Sequence, residues 1–562
     1  MRQFLRDLKL VLGGDRARVP GVILLMLAAA GLDLLGVGLV LPFIAAAFGE
    51  AQATPTLVLG AGLVVAFALR ALAGFELQRR LVRFSDRHRA SLMATLLDRY
   101  LDQPWSFHLT RSQAELTNTL LYEVALYTGN VLNASLRLVA DGLVLLLLGG
   151  FLLWLQSELA ITLALALGCT VLVVNLLTRK PMRRNAERVV QRYEQVVQTL
   201  GNSLAALKQA RVLGSRELFA QRLAVAARDQ AEATAWQNAL QTIPRSALEV
   251  TLVILMLGAV VWLGQRAESL AAAVATLGAF GVASLRLLPA TTSVANQINL
   301  LRANRLVLGR LAADLGLPAA AASTASAGAA DDPPAVKLRD VSYRYPGAQE
   351  DALRGVSLEL PAGECVGVIG ASGSGKSTLA DLLLGLLTPT AGEMVIDGDR
   401  LAGDALTWTR RCAYIPQDPC LFNDSLRTNV TLSEATGPEL DQRVSKALTQ
   451  AALADLLHSL PDGLDESLGD HGQRLSGGQR QRLAIARALF FERHFLVFDE
   501  ATSALDAATE QDIVAAIRLL DGQATVLVVT HREALLSPCH RVYRMAGGTL
   551  TPVDHPRRRA LA

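Results

Sequence analysis

The stretch GASGSGKST, residues 370–378, continues the apolar run CVGVIG and leads into TLADLLLGLL, which has the composition of a helix. A strand, a glycine-rich turn and a helix in this order form the context of the phosphate-binding pattern G-x-x-x-x-G-K-[ST]. Such a turn directs backbone N–H groups at phosphates, and the helix N-terminus adds partial positive charge. The stretch predicts a nucleotide site rather than an unliganded turn. Its candidate residues are Gly370, Ser372, Gly373, Gly375, Lys376, Ser377 and Thr378.

An acidic pair ends a second apolar run, FLVFDE, residues 495–500. Asp499 can bind Mg²⁺ directly or through water, and Glu500 can orient or deprotonate an attacking water molecule. In the glycine-rich loop, Lys376 can reach the β- and γ-phosphates and the Ser377 hydroxyl can bind Mg²⁺. Acidic residues at the end of a strand are common, so this motif alone is weak evidence for a nucleotide site. It becomes strong evidence because the phosphate-binding pattern lies upstream.

The composition indicates a membrane protein with more than one domain. The 562 residues exceed what one hydrophobic core accommodates, 51% of them are hydrophobic, and the mean hydropathy is +0.32. The formal net charge of +3 gives no support for a nucleic-acid partner. The five cysteines show neither the spacing of metal ligands nor a paired framework, which is typical of reduced cytosolic thiols.

Six apolar stretches are long enough to cross a bilayer, since a spanning helix needs about 20 mostly apolar residues. They are residues 19–48, 56–78, 131–154, 159–178, 247–264 and 270–300. Segments after the second, fourth and sixth stretches are rich in arginine, whereas the intervening ones carry at most one basic residue. Cytoplasmic segments are enriched in Lys and Arg, so we expect both termini in the cytosol. The first apolar run is too long for a signal-peptide core.

Residues 318–334 have low complexity and no hydrophobic periodicity, which is typical of a linker. This linker divides the chain into two parts. After it, short apolar runs alternate with helical patterns. The expected fold is an α-helical membrane domain over residues 1–317, with six spanning helices extended into the cytosol, followed by an α/β P-loop nucleotide-binding domain over residues 335–556. A basic tail, residues 557–562, follows.

The sequence LSGGQ, residues 475–479, lies between the two phosphate motifs. With it, the chain resembles the ATP-binding cassette (ABC) transporters over about residues 335–550. The order of a six-span membrane domain before a nucleotide domain resembles the exporter type, in which each chain is a half-transporter. Bends near 103–109 and 203–215 then correspond to the coupling helices of exporters, the second of which reaches the opposite subunit.

The resemblance implies further site residues. Tyr345 matches the aromatic residue that stacks on adenine. Gln417, in YIPQD, matches the glutamine that links the Mg²⁺ site to the membrane domain, and His531, in VVTHR, matches the histidine that contacts the γ-phosphate. Gln417, His531 and Glu500 form the expected catalytic set. The loop GDHG resembles the one that contacts the membrane domain, although the family usually has Glu where this chain has Asp470.

Dimerisation is implied by the same resemblance. In ABC proteins, LSGGQ of a second subunit covers the γ-phosphate, so ATP holds two domains together and hydrolysis releases them. The covering contacts would come from Ser476, Gly477, Gly478 and Gln479, near a helix start. Asp506, in SALD, matches the loop that crosses the interface. Because the motifs are intact, we expect a homodimer that binds ATP and Mg²⁺ in two hydrolytic sites. A heterodimer with a degenerate partner is the second possibility.

Arg70 and Arg286 lie within apolar stretches, and Arg245 stands at the cytoplasmic start of the fifth. At 1.5 Å per residue, Arg70 lies about 21 Å and Arg286 about 24 Å below the outer face of a core about 30 Å thick. The same estimate puts Asp33 in the opposite half. Intramembrane charge is costly and arginine suits phosphate, so these residues predict a membrane cavity for an anionic headgroup. Local neutralisation is the alternative, and Glu249 offers it to Arg245.

The membrane half also resembles the bacterial lipid-linked oligosaccharide flippases, through GLDLLGVGLVLPFI, FALRAL, RFSDRHR, PRSALE and SLRLLPA. Those proteins move a polyprenyl-diphosphate glycan from the cytosolic to the outer leaflet. The resemblance implies a glycolipid flippase in the bacterial inner membrane, with its nucleotide-binding domain in the cytosol. The amphipathic helix that these flippases carry between spans one and two has no counterpart in GEAQATP, residues 49–55.

Two other functions stay open from the sequence. The first is an exporter of another amphiphile, such as a peptide, a drug or a different lipid; the arginines disfavour a cationic drug. The second is a regulator that uses ATP only as a switch, against which the intact Glu500 argues.

Overall fold

Long helices form the first part of the chain, and a sheet-containing domain forms the second. The structure, a computed structural model, describes residues 2–48, 53–266, 270–318, 332–401, 405–469, 472–500 and 507–554. Its contacts divide it into two units, Met1–Asp102 with Gln113–Pro318, and Gln103–Ser112 with Ala319–Ala562. Most of the predicted linker and all of the predicted basic tail lie outside the described residues.

The helices of the first part follow one another with short connections. They are α1 (Arg2–Leu12), α2 (Val19–Phe48), α3 (Ala53–Leu101), α4 (Trp105–Thr110), α5 (Gln113–Asn118), α6 (Val124–Leu126), α7 (Asn133–Leu155), α8 (Ser157–Ala205), α9 (Leu207–Val212), α10 (Arg216–Arg266), α11 (Leu270–Ala303) and α12 (Arg305–Leu315). A 3₁₀ segment, Gly13–Arg18, connects α1 to α2. Two π-helical segments, Thr119–Glu123 and Tyr127–Leu132, join α5, α6 and α7 into one rod.

Six helical segments of the described chain are long and apolar enough to span a membrane, as predicted. They are Arg2–Ile44, Thr56–Leu101, Glu115–Leu155, Ser157–Thr178, Arg216–Trp262 and Thr276–Ala303. Apolar residues of five of them, all but the second, pack in a core that includes Val37, Leu148, Leu248 and Phe280. The chain is therefore a multi-pass membrane protein.

Three of these helices continue well beyond a bilayer. Helices α3 and α8 have 49 residues each and α10 has 51. At 1.5 Å per residue each is roughly 75 Å long, more than twice a hydrocarbon core of about 30 Å. Short helices lie at both predicted bends, α4 after α3 and α9 between α8 and α10.

The second part is built from two sheets and the helices around them. Its strands are β1 (Val336–Tyr343), β2 (Leu353–Leu360), β3 (Cys365–Gly370), β4 (Ala391–Ile396), β5 (Asp399–Arg400), β6 (Cys412–Ile415), β7 (Phe495–Asp499), β8 (Thr525–Val529), β9 (Arg541–Ala546) and β10 (Thr549–Val553). Its α-helices are α13 (Lys376–Leu383), α14 (Ala405–Thr409), α15 (Leu426–Thr431), α16 (Pro438–Gln450), α17 (Ala454–Ser459), α18 (Gly477–Phe490) and α19 (Ala507–Leu519).

The larger sheet has the strand order β10-β9-β3-β8-β7-β6, and the smaller one β2-β1-β4-β5. Strands β9, β3, β8, β7 and β6 run parallel. Every residue of β7 and β8 is buried, as expected for apolar runs covered on both faces of a parallel sheet. The predicted class, a helical membrane domain with an α/β nucleotide-binding domain, is confirmed.

We expect Asn429→Ala to lower the stability of the nucleotide-binding unit by about 2 kcal/mol or more. The fully buried Asn429 amide donates to the carbonyls of Phe422, Asp424 and Ser425, and its Oδ1 accepts from the Phe422 N–H. Truncation removes these hydrogen bonds and leaves the Phe422 N–H without its acceptor, whereas the three carbonyls keep backbone N–H donors from Asp424, Leu468 and Asn429. Thermal unfolding of the full chain in detergent measures the effect. The exposed Asn423→Ala is the control, and an equal melting temperature for the two variants would contradict the expectation.

Candidate functional site

The phosphate-binding loop joins β3 to α13 and has no room for side chains at two of its glycines. Gly375 has a φ of 109°, and a Cβ atom there would lie 2.9 Å from the carbonyl oxygen of Ala352. A Cβ atom at Gly370 would overlap the carbonyl oxygen of Met545. The loop therefore turns sharply onto the N-terminus of α13, whose first N–H groups have no intrahelical acceptor. That arrangement attracts phosphate oxygens.

Lys376 is held against this loop. Its ammonium donates to the carbonyl oxygens of Gly370, at 2.9 Å, and Ala371, at 3.0 Å, and lies 3.4 Å from Oε1 of Glu500. Only 6% of its side chain is exposed. A buried ammonium beside this loop is positioned to bind a phosphate, because phosphate oxygens can replace the weaker carbonyl acceptors.

Asp499 lies at the end of β7 and interacts with the loop. Its carboxylate accepts hydrogen bonds from the hydroxyl of Ser377 and, at 3.1 Å, from that of Tyr414. Burial raises the pKa of the Asp499 carboxyl. Burial, and then the charge of Asp499, raise the pKa of Asp381 to about 6. A hydroxyl and a buried carboxylate are hard oxygen donors beside a phosphate loop, so this pair fits Mg²⁺, which uses few protein ligands together with substrate phosphates.

Glu500 has an unusual backbone conformation. Its φ is 48°, and its N–H donates to the carbonyl of Val529 on the neighbouring strand at 2.8 Å. A left-handed conformation is strained for a residue with a Cβ, and such strain is concentrated at functional sites. Here the strain turns the carboxylate back from the end of β7 toward Lys376.

His531 lies two residues beyond β8 and is exposed. It lines a cavity of about 1160 Å³ together with the first half of the phosphate-binding loop, including Gly370, Ser372 and Gly373. The structure thus places His531 beside the loop, whereas Lys376, Ser377 and Glu500 lie outside this cavity lining. Its contact with the γ-phosphate stays a prediction.

Gln417 and Tyr345, two other predicted site residues, form hydrogen bonds within the second part of the chain. The exposed Gln417 follows β6, and its carbonyl accepts from Nε2 of Gln481 at 3.2 Å. The hydroxyls of Tyr345 and Thr378 hydrogen bond at 3.0 Å, which ties the aromatic residue to the first turn of α13. The Tyr345 ring also meets Tyr343 edge-to-face at 5.0 Å.

The LSGGQ segment forms the N-terminal cap of α18. The Ser476 hydroxyl accepts from the N–H of Gln479 at 3.2 Å, and the Gln479 side chain accepts from the N–H of Ser476 at 2.8 Å. This capping box fixes Gly477 and Gly478 in the first turn of a 14-residue helix. Asp506 and Asp470 lie outside the described residues.

Asp33 joins two of the predicted membrane arginines. Its Oδ1 lies 2.7 Å from Nε of Arg70 and 3.2 Å from Nε of Arg286, and 1% of its side chain is exposed. Neither Asp33 oxygen accepts an aligned hydrogen bond, so the contacts are ion pairs by distance. The arginine side chains are 24% and 35% exposed. The expectation that Asp33 lies in the opposite half of the membrane is wrong.

The turn between α2 and α3 explains this error. Asp33 lies 15 residues before Phe48, where α2 ends, and Arg70 lies 17 residues after Ala53, where α3 begins. In an antiparallel helix pair, residues at equal distance from the turn lie side by side. The depth of Asp33 was counted from the inner end of α2, whose 30 residues are about 45 Å long and exceed a core of about 30 Å, so Asp33 was placed too close to the outer face. The sequence contained a signal for this contact: Asp33, in GLDLLG, and Arg70, in FALRAL, are separated from the turn by similar numbers of residues.

Arg245 does not share this cluster. Its Nε lies 2.9 Å from Oε1 of Glu249, one turn along α10, and the two side chains are 73% and 48% exposed. Local neutralisation, the alternative considered for Arg245, is what the structure shows.

The chain matches two family models, ABC transporter over residues 353–503 and ABC transporter transmembrane region over residues 21–283. A protein of Polaromonas sp. named ATP-dependent lipid A-core flippase is 31% identical over 508 residues, covering 87% of this chain and 82% of the relative. The chain belongs to the ABC transporter family. A protein of the same name from Burkholderia pseudomallei (strain 1710b) is 30% identical, covering 95% of this chain and 89% of its own length.

The fold of this ABC transporter matches a solved exporter. A bacterial Atm1-family ABC exporter with ATP bound superposes with a TM-score of 0.77 at 25% identity, covering 95% of each chain. The predicted exporter type is confirmed, and the chain is an ATPase that couples hydrolysis to transport. The regulator alternative is thereby set aside.

We expect Glu500→Gln to lower ATP hydrolysis about 100-fold or more while nucleotide binding persists, because the amide keeps the shape but cannot accept a proton. ATPase activity and nucleotide affinity of the reconstituted transporter measure the two effects. Glu492→Gln is a matched control, because Glu492 is exposed and also has a positive φ, 50°. Full ATPase activity in Glu500→Gln would contradict the assignment.

Proposed function

We propose that this ABC transporter is a flippase for an anionic lipid-linked glycan, such as a diphosphate-linked oligosaccharide. It would move the glycan from the cytosolic to the outer leaflet. The names of the relatives, ATP-dependent lipid A-core flippases, support a lipid cargo. The observation that carries the proposal is the cluster of Arg70 and Arg286 on Asp33 at membrane depth.

The charge of this cluster favours an anion. Two guanidinium groups share one carboxylate, so one positive charge is not balanced within the cluster. The guanidinium of Arg286 also lies 5.9 Å from the ring centre of Phe67. Both arginines keep an exposed fraction while Asp33 is buried, so a headgroup phosphate can contact the guanidinium faces that Asp33 leaves open. Arg245 would contact the anionic headgroup at a separate place, near the cytosolic end of span five.

Each predicted nucleotide residue receives a role in this proposal. Lys376 and the loop N–H groups hold the phosphates of ATP, Glu500 orients the attacking water, and His531 contacts the γ-phosphate. Ser377, Gln417 and Asp499 would hold Mg²⁺, which neutralises phosphate charge when bound. Tyr345 would stack on adenine after its contact with Thr378 is released.

We further propose the organisation of the chain. Residues 1–317 form the membrane domain, residues 318–334 the linker, residues 335–556 the nucleotide-binding domain and residues 557–562 a basic tail. The transporter works as a homodimer in which Ser476 to Gln479 and Asp506 of one subunit complete the ATP site of the other. It lies in the bacterial inner membrane, with both termini and the nucleotide-binding domains in the cytosol.

We expect Arg70→Gln and Arg286→Gln each to raise the half-saturating glycolipid concentration about tenfold or more. Each variant leaves a neutral ion pair in place of the cluster and loses a charge-assisted contact of about 1.5–3 kcal/mol. ATPase stimulation and translocation in proteoliposomes are measured with a polyprenyl-diphosphate oligosaccharide and with a lipid A-core glycolipid.

Arg137→Gln is the control for this experiment, because it removes one positive charge from span three outside the Asp33 cluster. Equal half-saturation in the control, Arg70→Gln and Arg286→Gln would exclude the anion site. Stimulation by a cationic amphiphile but by neither glycolipid would instead favour an exporter of another amphiphile.

A further inference from the structure

A second basic site lies along α3, beyond the apolar part of span two. A cleft of about 350 Å³ forms between the inner ends of spans one and two. Arginines dominate its lining: Arg18, Arg79, Arg80, Arg83 and Arg87. Four of the five lie on α3. Arg83 lies four residues after Arg79 and three after Arg80, and Arg87 lies four residues after Arg83, so the four share one side of the helix over successive turns.

The cleft has more positive than negative charge. Glu76, its one acidic lining residue, pairs with Arg79 at 2.9 Å and with Arg80 at 2.8 Å. Arg18 pairs with Asp15 at 2.8 Å. Within the described residues, no carboxylate lies within ion-pair distance of the exposed Arg83 and Arg87.

Apolar side chains form the rest of the cleft. Val22, in the first turn of α2, is 8% exposed, and Phe84, on α3, is 7% exposed. Guanidinium groups beside buried apolar side chains match a ligand with a charged head and an apolar body. A soluble anion would use only the charged half of this surface.

The position of the cleft in the chain matches the headgroup region. Arg18 directly precedes α2, and Arg83 follows the apolar stretch 56–78. On the orientation proposed above, both lie at the cytosolic surface, where basic pockets between spanning helices bind anionic lipid headgroups. Arg80 is ten residues beyond Arg70, about 15 Å along α3, so the cleft and the Asp33 cluster are separate sites.

We propose that this cleft binds the phosphate of an anionic phospholipid of the inner leaflet. Arg83 and Arg87 hold the phosphate oxygens, and Val22 and Phe84 contact the glycerol and the first acyl carbons. This site does not depend on which cargo the transporter moves, so it stands or fails separately from the glycolipid proposal.

Native mass spectrometry of the full chain in detergent tests the site. Phosphatidylglycerol, phosphatidylethanolamine and glycerol 3-phosphate are titrated as separate probes. We expect saturable phosphatidylglycerol binding, roughly tenfold tighter than phosphatidylethanolamine, and weaker by about tenfold or more in Arg83→Gln/Arg87→Gln. Arg83→Lys/Arg87→Lys keeps the charge and is expected to retain most of the preference for phosphatidylglycerol. The matched control is Arg222→Gln/Arg228→Gln, which removes two exposed arginines from the cytosolic part of α10.

Three results would overturn the proposal. The first is phosphatidylglycerol binding that is equal in Arg83→Gln/Arg87→Gln and in the control. The second is equal affinity for phosphatidylethanolamine, which would remove the requirement for an anion. The third is glycerol 3-phosphate binding as tightly as the lipid, which would identify a soluble phosphate as the ligand. None of these outcomes changes the half-saturation experiment on Arg70 and Arg286, so the two proposals are tested independently.

Discussion

Parallel strands end at the same edge of a sheet, and this constraint positions the nucleotide chemistry of the chain. The register pairs Val368 of β3 and Asp499 of β7 with the same residue, Val529 of β8. The residues that follow these three strand ends are the phosphate-binding loop, Glu500 and His531. Strand β6 ends beside β7, and Gln417 lies two residues beyond it. Side chains distant in sequence thus meet at one edge, the position at which open α/β sheets bind ligands.

A different constraint acts in the membrane unit, where charge has no water to solvate it. An intramembrane arginine needs a partner, and Asp33 supplies one to both Arg70 and Arg286. The shared carboxylate also connects α2 to α3 and to α11, so the charge cluster contributes to helix packing in addition to the proposed recognition of an anion. Removing one partner from a buried pair costs more than the pair contributes, because the remaining charge is uncompensated. A structural effect and a binding effect are therefore coupled at these residues, which is why half-saturation is more informative than total transport.

The sequence predicted those parts of the structure that depend on residues close together in the chain. The loop at 370–378 and the buried strand FLVFDE depend on neighbours within about ten residues, and so do the apolar lengths of the six spans. The Asp33 contact was not predictable from depth, because depth was counted from assumed membrane edges and not from the turn between α2 and α3. The role of Arg245 could not be decided from the sequence, since a glutamate four residues further on is compatible both with an ion pair and with a binding site. Side-chain geometry resolves it toward Glu249.

Helix α3 carries arginines of both basic clusters, and Gly74 makes room for one of them. A Cβ atom at Gly74 would lie 2.5 Å from Nη1 of Arg70, so the guanidinium folds along α3 over this glycine while its Nε faces Asp33. Two residues after Gly74, the carboxylate of Glu76 pairs with Arg79 and Arg80 in the cleft. Within ten residues, α3 therefore changes from an arginine paired with an acid of another helix to arginines paired with an acid of α3 itself. Charge at membrane depth must be matched across helices, whereas charge at the surface can be matched locally and in part by lipid, since water screens what remains.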